Sequence, residues 1–463
     1  MLGLLPISTL GTFIVIAGSG YAGSLDGVWQ SEGYGYVFEI QGTRLKAFEV
    51  TSATCIPGFT ARLEKTTAPD REATFKTSEK DLVYIRPAES NAANGRLLHF
   101  EGSASDLQLS RLPRIPKTCE SPTPNTPADN FEVFARTFDE QYISFELKHT
   151  NWEKIVADYR PKVTSRTTPT QLFEILQAMI EPFHDAHTAI SAPSLKREFE
   201  GFRPGGYQLS EGESENRFRK REMPLLLAVT ERAYLDGPLR KFCNGQLQYG
   251  HIHKTIGYLR ILAEGGYTKR RGIGAEQAVL EAGLDDIFTD PAIRALILDL
   301  RINFGGSDQL GLSIASRLAR REYPAFTKHA RLYSENGNRW TAGQVSLVRP
   351  SSRPGFRGLV AELIGPLTVS AGETFTQALM ARTPHVTRIG ENTQGVFSDV
   401  LDRRLPNGWS FGLPNEVFRT SGGVAFDGVG VPPDIQVPVF AEPDVAAGKD
   451  PALSKAIEIL RND

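Results

Sequence analysis

The strongest constraint on the fold is an alternation of strand and helix patterns in the second half of the chain. Apolar runs typical of buried strands lie at residues 254–261, 295–300 and 358–364. Amphipathic helix patterns follow them at residues 274–288, 309–318 and 372–380. Helices commonly connect parallel strands, and a continuous apolar strand is typical of a sheet that is covered on both faces. The alternation predicts an α/β core over residues 223–442.

The first part of the chain predicts a separate β domain. Short runs of aromatic and β-branched residues between glycines extend over residues 24–119, which favours a small barrel or sandwich. A Pro-rich stretch follows at residues 120–130, and that composition is typical of a semi-rigid linker. The sequence therefore predicts a β domain that a spacer separates from the rest.

Helical patterns flank the predicted α/β core on both sides. Aromatic residues recur at three- and four-residue steps, the spacing of one buried helix face: Phe131, Phe134, Phe138 and Tyr142. They open a predicted helical subdomain at residues 131–193, which a polar connection joins to the core. Residues 443–463 are predicted to form a C-terminal tail that carries a surface helix at residues 451–460.

Charge and hydropathy exclude two classes of partner. The 463 residues include 52 Lys and Arg and 54 Asp and Glu, so the net charge is −2. A near-neutral chain has no global field that would attract nucleic acid or an anionic membrane. Beyond the N-terminal region, no segment reaches the ~18 apolar residues that a membrane span needs. We therefore expect neither a nucleic-acid partner nor stable membrane insertion of the mature chain.

The N-terminus has the pattern of a signal peptide at residues 1–22. No charged side chain occurs before Asp26, and a short apolar run occupies residues 10–17. Gly20 and Ala22 are small residues at the positions that signal peptidase requires for cleavage after Ala22. The segment lacks the usual basic residue, so an uncleaved anchor is the alternative. The pattern predicts export, either to a periplasm or to the outside.

The three cysteines agree with export. Cys55 and Cys119 lie near the two ends of the predicted β domain, and Cys243 lies far downstream. In an oxidising compartment the first two are predicted to form a disulfide, which leaves Cys243 free. No Cys-x-x-Cys pair or Cys/His cluster occurs, so we expect neither a structural metal nor another cofactor.

Three segments carry residues that suit catalysis. The strand at 295–300 leads into Gly305 and Gly306 before a helix, where backbone N–H groups can bind an oxyanion. Ser370 lies at a second strand-to-helix corner, which is the geometry of a nucleophile elbow, although a helix N-cap is the alternative. Asp427 and Asp434 follow in a Gly- and Pro-rich stretch, where either is by itself more typical of a turn.

Taken together, five ordered motifs resemble one family of serine peptidases, that of the tail-specific (carboxyl-terminal processing) proteases and the tricorn core protease. The motifs are Leu298-Asp-Leu-Arg-x-Asn-x-Gly-Gly306, Ser370-Ala-Gly-Glu373, Ile389-Gly-Glu-Asn-Thr-Gln-Gly395, Leu405-Pro-Asn-Gly408 and Gly430-Val-Pro-Pro-Asp434. The resemblance spans about residues 131–439 and leaves out the β domain. It implies an α/β core of ClpP/crotonase type and serine endopeptidase activity on proteins or peptides.

The resemblance also implies roles for individual residues. Ser370 would be the nucleophile, and the oxyanion hole would consist of the Ala371 amide with a second amide from Gly305 or Gly306. Tail-specific proteases carry a catalytic lysine at the position of Val396, and valine cannot accept a proton. The chain is therefore more similar to the members that use serine, histidine and an acid, namely tricorn and the chlamydial protease-like factor.

The Ser/His/acid pattern implies a base and an acid elsewhere in the chain. Asp185-Ala-His187 is similar to the histidine segment of the chlamydial factor, so His187 would be the base. Asp427, three residues before Gly430, stands where those relatives carry the acid, and Gln394 is a possible auxiliary residue. His184 is the main rival to His187, and His251 and His253 are weaker candidates. Tricorn's own histidine position is occupied here by Arg260.

Three questions stay open at this level. The gap between residues 194 and 223 is too short for the PDZ domain of many tail-specific proteases, so another surface would have to select substrates. A non-catalytic ligand-binding protein is one alternative function, because a carrier protein can use the same core. An esterase is the other, because a Ser/His/acid triad also cleaves esters. The oligomeric state is not predicted.

Overall fold

The structure is a computed structural model that describes residues 25–68, 72–88, 95–121, 123–201, 220, 223–333 and 339–462. The predicted signal peptide at residues 1–22 lies outside the described residues. None of the helices in these ranges has the length and apolar composition of a membrane span.

The N-terminal β domain is a closed antiparallel barrel of eight strands, in which the first strand pairs with the last. Its strands are β1 Gly27–Ser31, β2 Tyr36–Gln41, β3 Arg44–Val50, β4 Cys55–Ala68, β5 Glu72–Thr77, β6 Leu82–Pro87, β7 Gly95–Phe100 and β8 Leu107–Leu112. Trp29, Phe38 and Leu98 are fully buried and contribute to the apolar core of the barrel. The predicted β domain is confirmed, and of the two predicted architectures it is the barrel.

A disulfide closes the end of the barrel. Cys55 begins β4, and its sulfur is bonded to that of Cys119 just beyond β8. Cys243 is buried and free. The predicted pairing is therefore confirmed.

The helical subdomain begins earlier than the sequence predicts. Its helices are α1 Pro127–Gln141, α2 Trp152–Tyr159 and α3 Pro169–Ile180. Helix α1 starts inside the stretch predicted as a linker, because Pro127 occupies the first helical position and the Thr126 side chain accepts the Asp129 N–H. Proline is well tolerated there, since the N–H that it lacks would have no intrahelical acceptor. The aromatic residues of α1 pack in the core as predicted.

The α/β core contains a seven-stranded sheet whose strands lie in the order β11, β12, β13, β14, β19, β21 and β25. These strands are β11 Arg240–Phe242, β12 Leu247–Ile252, β13 Ile256–Ile261, β14 Ala295–Asp299, β19 Leu359–Ile364, β21 Val386–Gly390 and β25 Ile435–Gln436. Strands from β13 to β25 are parallel, and β11 and β12 form an antiparallel edge. The core helices are α4 Met223–Ala233, α5 Ile273–Phe288, α6 Asp308–Leu318 and α7 Ala371–Leu379. The predicted alternation of strands and helices is confirmed.

The described residues also form three smaller sheets. The first consists of β9 Ala189–Ala192, β10 Arg197–Glu200, β22 Val400–Arg404 and β23 Ser410–Pro414. The second consists of β15 Ile302–Asn303 and β20 Leu367–Thr368, and the third of β16 Tyr323–Leu332, β17 Arg339–Trp340, β18 Gln344–Val348 and β24 Glu416–Arg419. The first of these joins the helical subdomain to the core, because β9 pairs with β23.

The C-terminal segment forms the predicted helix, and one face of that helix is buried against the main sheet. After the short helix α8 Glu442–Ala446, helix α9 Pro451–Asn462 packs on β19 and β21 of the main sheet. Ala452, Leu453 and Ala456 are fully buried there. Because the α/β sheet is apolar on both faces, it needs a helix on this side as well.

Candidate active site

Ser370 lies at a strained corner between β20 and α7. Its backbone has φ +55° and ψ −119°, a conformation that costs energy for any residue with a side chain. Such strain is typical of a nucleophile elbow, because the sharp turn directs the hydroxyl outward. The side chain is half-buried. The strained corner predicted at Ser370 is therefore present, and Ser370 is also the N-cap of helix α7, so the structure agrees with both interpretations of the sequence.

Two glycines lie directly against this corner. A Cβ placed on Gly305 would be 2.7 Å from the Ser370 Cβ and 2.8 Å from the Val369 oxygen. A Cβ on Gly306 would be 2.3 Å from the Glu264 oxygen, and both glycines have positive φ. Only glycine fits at either position without a shift of the backbone.

The backbone amides near Ser370 are not equivalent as oxyanion donors. The Gly305 N–H donates to the Asn303 Oδ1 at 2.8 Å, so it is already engaged. Gly306 is exposed, and the Ala371 N–H is the first of helix α7, where an amide lacks an intrahelical acceptor. Because the Gly305 amide is engaged, Ala371 and Gly306 are the better candidates among the predicted donors.

Glu373 ties the elbow to the loop in which Val396 lies. Its buried carboxylate accepts the backbone N–H groups of Ser370, Gly395 and Val396 at 3.2, 2.6 and 2.8 Å. It also accepts the Thr393 hydroxyl at 2.5 Å. Burial raises the pKa of Glu373 to about 7, against the effect of these four hydrogen bonds. Sequence reasoning gave Glu373 no role, although the residue is part of the Ser-Ala-Gly-Glu motif.

His187 and Asp427 lie in one small cleft, together with Asp185 and Val396. The cleft has a volume of about 10 Å³, which is room for about one water molecule. The two residues are 240 positions apart in the sequence, so the fold brings them together. The cleft contains the predicted base, the predicted acid and the valine that replaces the family's lysine.

The environment of His187 favours a neutral imidazole. Burial lowers the pKa of His187, while Asp185, Asp399 and a hydrogen bond with the Ser398 backbone oppose that shift. The backbone N–H of His187 donates to the Asp185 Oδ1 at 3.0 Å, which holds the turn that carries the ring. A neutral imidazole can accept a proton near neutral pH, as a general base must.

The pKa of Asp427 lies close to neutral pH. Burial, followed by the charges of Glu373 and Asp185, raises the pKa of Asp427 to about 7. Within the described residues, its Oδ2 and the Nδ1 of His187 are both buried without a hydrogen-bond partner. These two atoms are therefore not hydrogen-bonded to each other in this structure, although both side chains line the same cleft.

The rival histidines lie elsewhere or have other partners. His184 is exposed, and its carbonyl accepts the Lys148 Nζ at 3.2 Å. His251 lies on β12, where its Nε2 is 2.7 Å from the Asp290 Oδ2. His253 follows that strand and is exposed. Of these histidines, only His187 lines the cleft.

Several other residues singled out in the sequence have structural contacts. The guanidinium of Arg260 is buried and donates to Glu231 and Gln248. Asp434 accepts a hydrogen bond from the Arg388 side chain at 2.6 Å. The Gln394 backbone N–H donates to the Thr368 oxygen at 3.0 Å, which ties its loop to β20.

The buried Lys328 does not replace the missing lysine. Its Nζ is 2.6 Å from the Asp399 Oδ2 and 3.2 Å from the Glu416 Oε1. Burial alone would lower the pKa of Lys328, but the two carboxylates hold it well above its usual value. A lysine with a raised pKa remains charged and cannot act as a general base.

Comparison with known protein families finds two matches. The model described as peptidase family S41 matches residues 255–437. The model described as the tricorn protease C1 domain matches residues 123–181. Together the matches cover the three helices of the helical subdomain and most of the α/β core. The cleft residues from Gly395 onward fall within the first match, whereas Asp185 and His187 lie in neither. A search of curated proteins finds no match.

Solved structures share the fold at low sequence identity. A putative peptidase from Parabacteroides merdae is 24% identical, with a TM-score of 0.57 over 73% of this chain and 97% of that one. Mature CPAF complexed with lactacystin is 11% identical, with a TM-score of 0.52 over 73% of this chain and 99% of that one. At such identities the likeness shows the fold alone.

Proposed function

We propose that this chain, which belongs to peptidase family S41 and is a serine-type peptidase, hydrolyses peptide bonds through Ser370, His187 and Asp427. The observation that carries the proposal is the strained elbow at Ser370. An unstrained backbone could start a helix equally well, so the strain at Ser370 indicates a functional role. His187 and Asp427 supply the base and the acid from one cleft.

In this mechanism the Ser370 hydroxyl attacks the carbonyl carbon of the scissile bond while His187 takes its proton. The oxyanion that forms is stabilised by the N–H groups of Ala371 and Gly306. His187 then returns the proton to the leaving amine, and water hydrolyses the acyl-enzyme by the same proton path. The Asp427 carboxylate orients the imidazole and stabilises its charged form.

A fluorophosphonate probe tests the nucleophile. In the wild-type chain we expect an adduct on Ser370. Ser370→Ala should lose peptide cleavage and keep its melting temperature, since the hydroxyl contributes little to packing. Ser421→Ala, a change at an exposed serine of the Asp427 loop, should be labelled and active. Peptide cleavage that persists in Ser370→Ala would refute the assignment.

The same assay separates the two alternative functions. A Ser370 adduct with hydrolysis of esters but not of peptides would identify an esterase. A folded wild-type chain that forms no adduct and cleaves neither substrate would identify a ligand-binding protein.

We also propose that the core is of ClpP/crotonase type and that the chain acts in an oxidising compartment. The parallel strands β13, β14, β19 and β21, with the small β15–β20 sheet beside them, support the first proposal. The Cys55–Cys119 disulfide supports the second, because structural disulfides are rare in a reducing cytosol. Thiol titration of protein from its native compartment tests the second proposal, and three free thiols would refute it.

A further inference from the structure

We propose that the N-terminal barrel is part of the catalytic apparatus, with Tyr34 as a positioning residue that holds the Ser398–Asp399 segment beside His187. The inference rests on the proposed function, and it adds a role for a domain that the family motifs do not include.

The turn between β1 and β2 inserts into the α/β core. Gly33, Tyr34 and Gly35 all have positive φ, which produces a sharp turn at residues 32–35. A Cβ on Gly33 would be 2.9 Å from the Arg331 oxygen of β16, so the turn lies directly on that strand. The Tyr34 carbonyl accepts the Arg403 guanidinium, which fixes the turn from the other side.

The Tyr34 side chain enters a buried group of charged residues. It is 8% exposed, and its hydroxyl donates to the Glu416 Oε1 at 2.6 Å. The same Oε1 lies 3.2 Å from the Lys328 Nζ, which is 2.6 Å from the Asp399 Oδ2. The other Glu416 oxygen accepts the Asp399 N–H at 3.3 Å. Tyr34 and Asp399 are thus connected through one shared partner, Glu416, and Lys328 links Glu416 to Asp399 a second time.

This group holds the segment that borders the catalytic cleft. The Ser398 Oγ accepts the N–H groups of Asn415 and Glu416, both at 3.0 Å. Ser398 lines the cleft that contains His187. Because Glu416 takes part in both sets of bonds, its position sets the position of Ser398 and Asp399.

His187 faces charged groups on several elements, and Asp399 is one of them. The others are Asp185 on its own turn, Lys148 between α1 and α2, and Asp427. Among them, Asp399 and Asp185 raise the pKa of His187 against the effect of burial. A less firmly held Asp399 should therefore shift the His187 titration to lower pH.

Tyr34→Phe removes the hydroxyl and keeps the ring. We expect kcat to fall about fivefold, as for the loss of one net hydrogen bond, and KM to stay unchanged, because the described cleft lining includes no barrel residue. The NMR titration midpoint of His187 should move to lower pH. Tyr84→Phe, a change on β6 of the same barrel, should alter neither kcat nor the titration midpoint of His187.

Glu416→Gln provides a second variant that leaves the barrel intact. It keeps an acceptor for Tyr34 but removes the charge next to Lys328, so it should also lower the His187 midpoint. An unchanged midpoint and kcat in a folded Tyr34→Phe protein would overturn the inference. If the wild-type chain forms no Ser370 adduct, the proposed function fails, whereas the His187 titration still decides whether Tyr34 acts on the cleft.

Discussion

At the scale of single residues, the catalytic proposal depends on two proton equilibria. His187 must be neutral and Asp427 must be ionised, so both groups must lose a proton. Burial lowers the pKa of His187 and raises that of Asp427 to about 7. We therefore expect kcat/KM to rise with pH through about 7 and then reach a plateau, as measured between pH 5 and 9. Asp427→Asn should lose activity and move the remaining limb to lower pH, and a kcat/KM that still rises at pH 9 would instead indicate a lysine base.

The contact between Gly305 and Ser370 gives a second prediction at this scale. Gly305→Ala would place a methyl group 2.7 Å from the Ser370 Cβ, so the elbow must shift. We expect activity to fall at least tenfold and the free energy of unfolding to fall by about 2 kcal/mol. Gly42→Ala is the matched control, because Gly42 also has positive φ but has open space around it. Equal effects in the two variants would show that backbone strain alone is responsible.

At the scale of elements, the start of helix α7 is coupled to the loop at residues 393–396 through Glu373. Glu373→Gln would place an amide donor opposite backbone N–H groups, so at least one hydrogen bond must break. We expect fluorophosphonate labelling of Ser370 to slow at least tenfold.

Glu362→Gln is the control for Glu373. Glu362 is also buried with a pKa of about 7, and it binds Thr376 of the same helix away from the elbow. Its variant should be labelled at the wild-type rate. If both variants slow equally, the effect comes from helix packing and not from the elbow.

At the scale of the whole molecule, buried carboxyl groups make stability depend on pH. Burial raises the pKa of Glu264 to about 8 and those of Glu362, Glu373 and Asp427 to about 7. In the unfolded chain these groups titrate near 4. Between about pH 4 and pH 8 the folded state therefore binds more protons, and the free energy of unfolding should fall as pH rises. Urea unfolding at pH 5, 6.5 and 8 measures this, and Glu362→Gln should flatten the curve, whereas stability that increases over the range would contradict the prediction.

The sequence by itself determined the features that depend on neighbours along the chain. Strand and helix periodicity predicted the α/β core, and short runs of aromatic and β-branched residues between glycines predicted the β domain. The elbow at Ser370 was also predictable, because a strand that runs into small residues and a helix start is a local pattern. The Thr168–Gln171 capping box forms from residues three positions apart.

Only the tertiary structure decided the features that need distant residues to meet. It placed His187 and Asp427 in one cleft, engaged the Gly305 amide with Asn303, and gave the Glu373 carboxylate its partners in another loop. It also buried helix α9 against the sheet and inserted Tyr34 beside Glu416. Local periodicity carries no information on which face a distant element will cover, since that depends on how the layers pack.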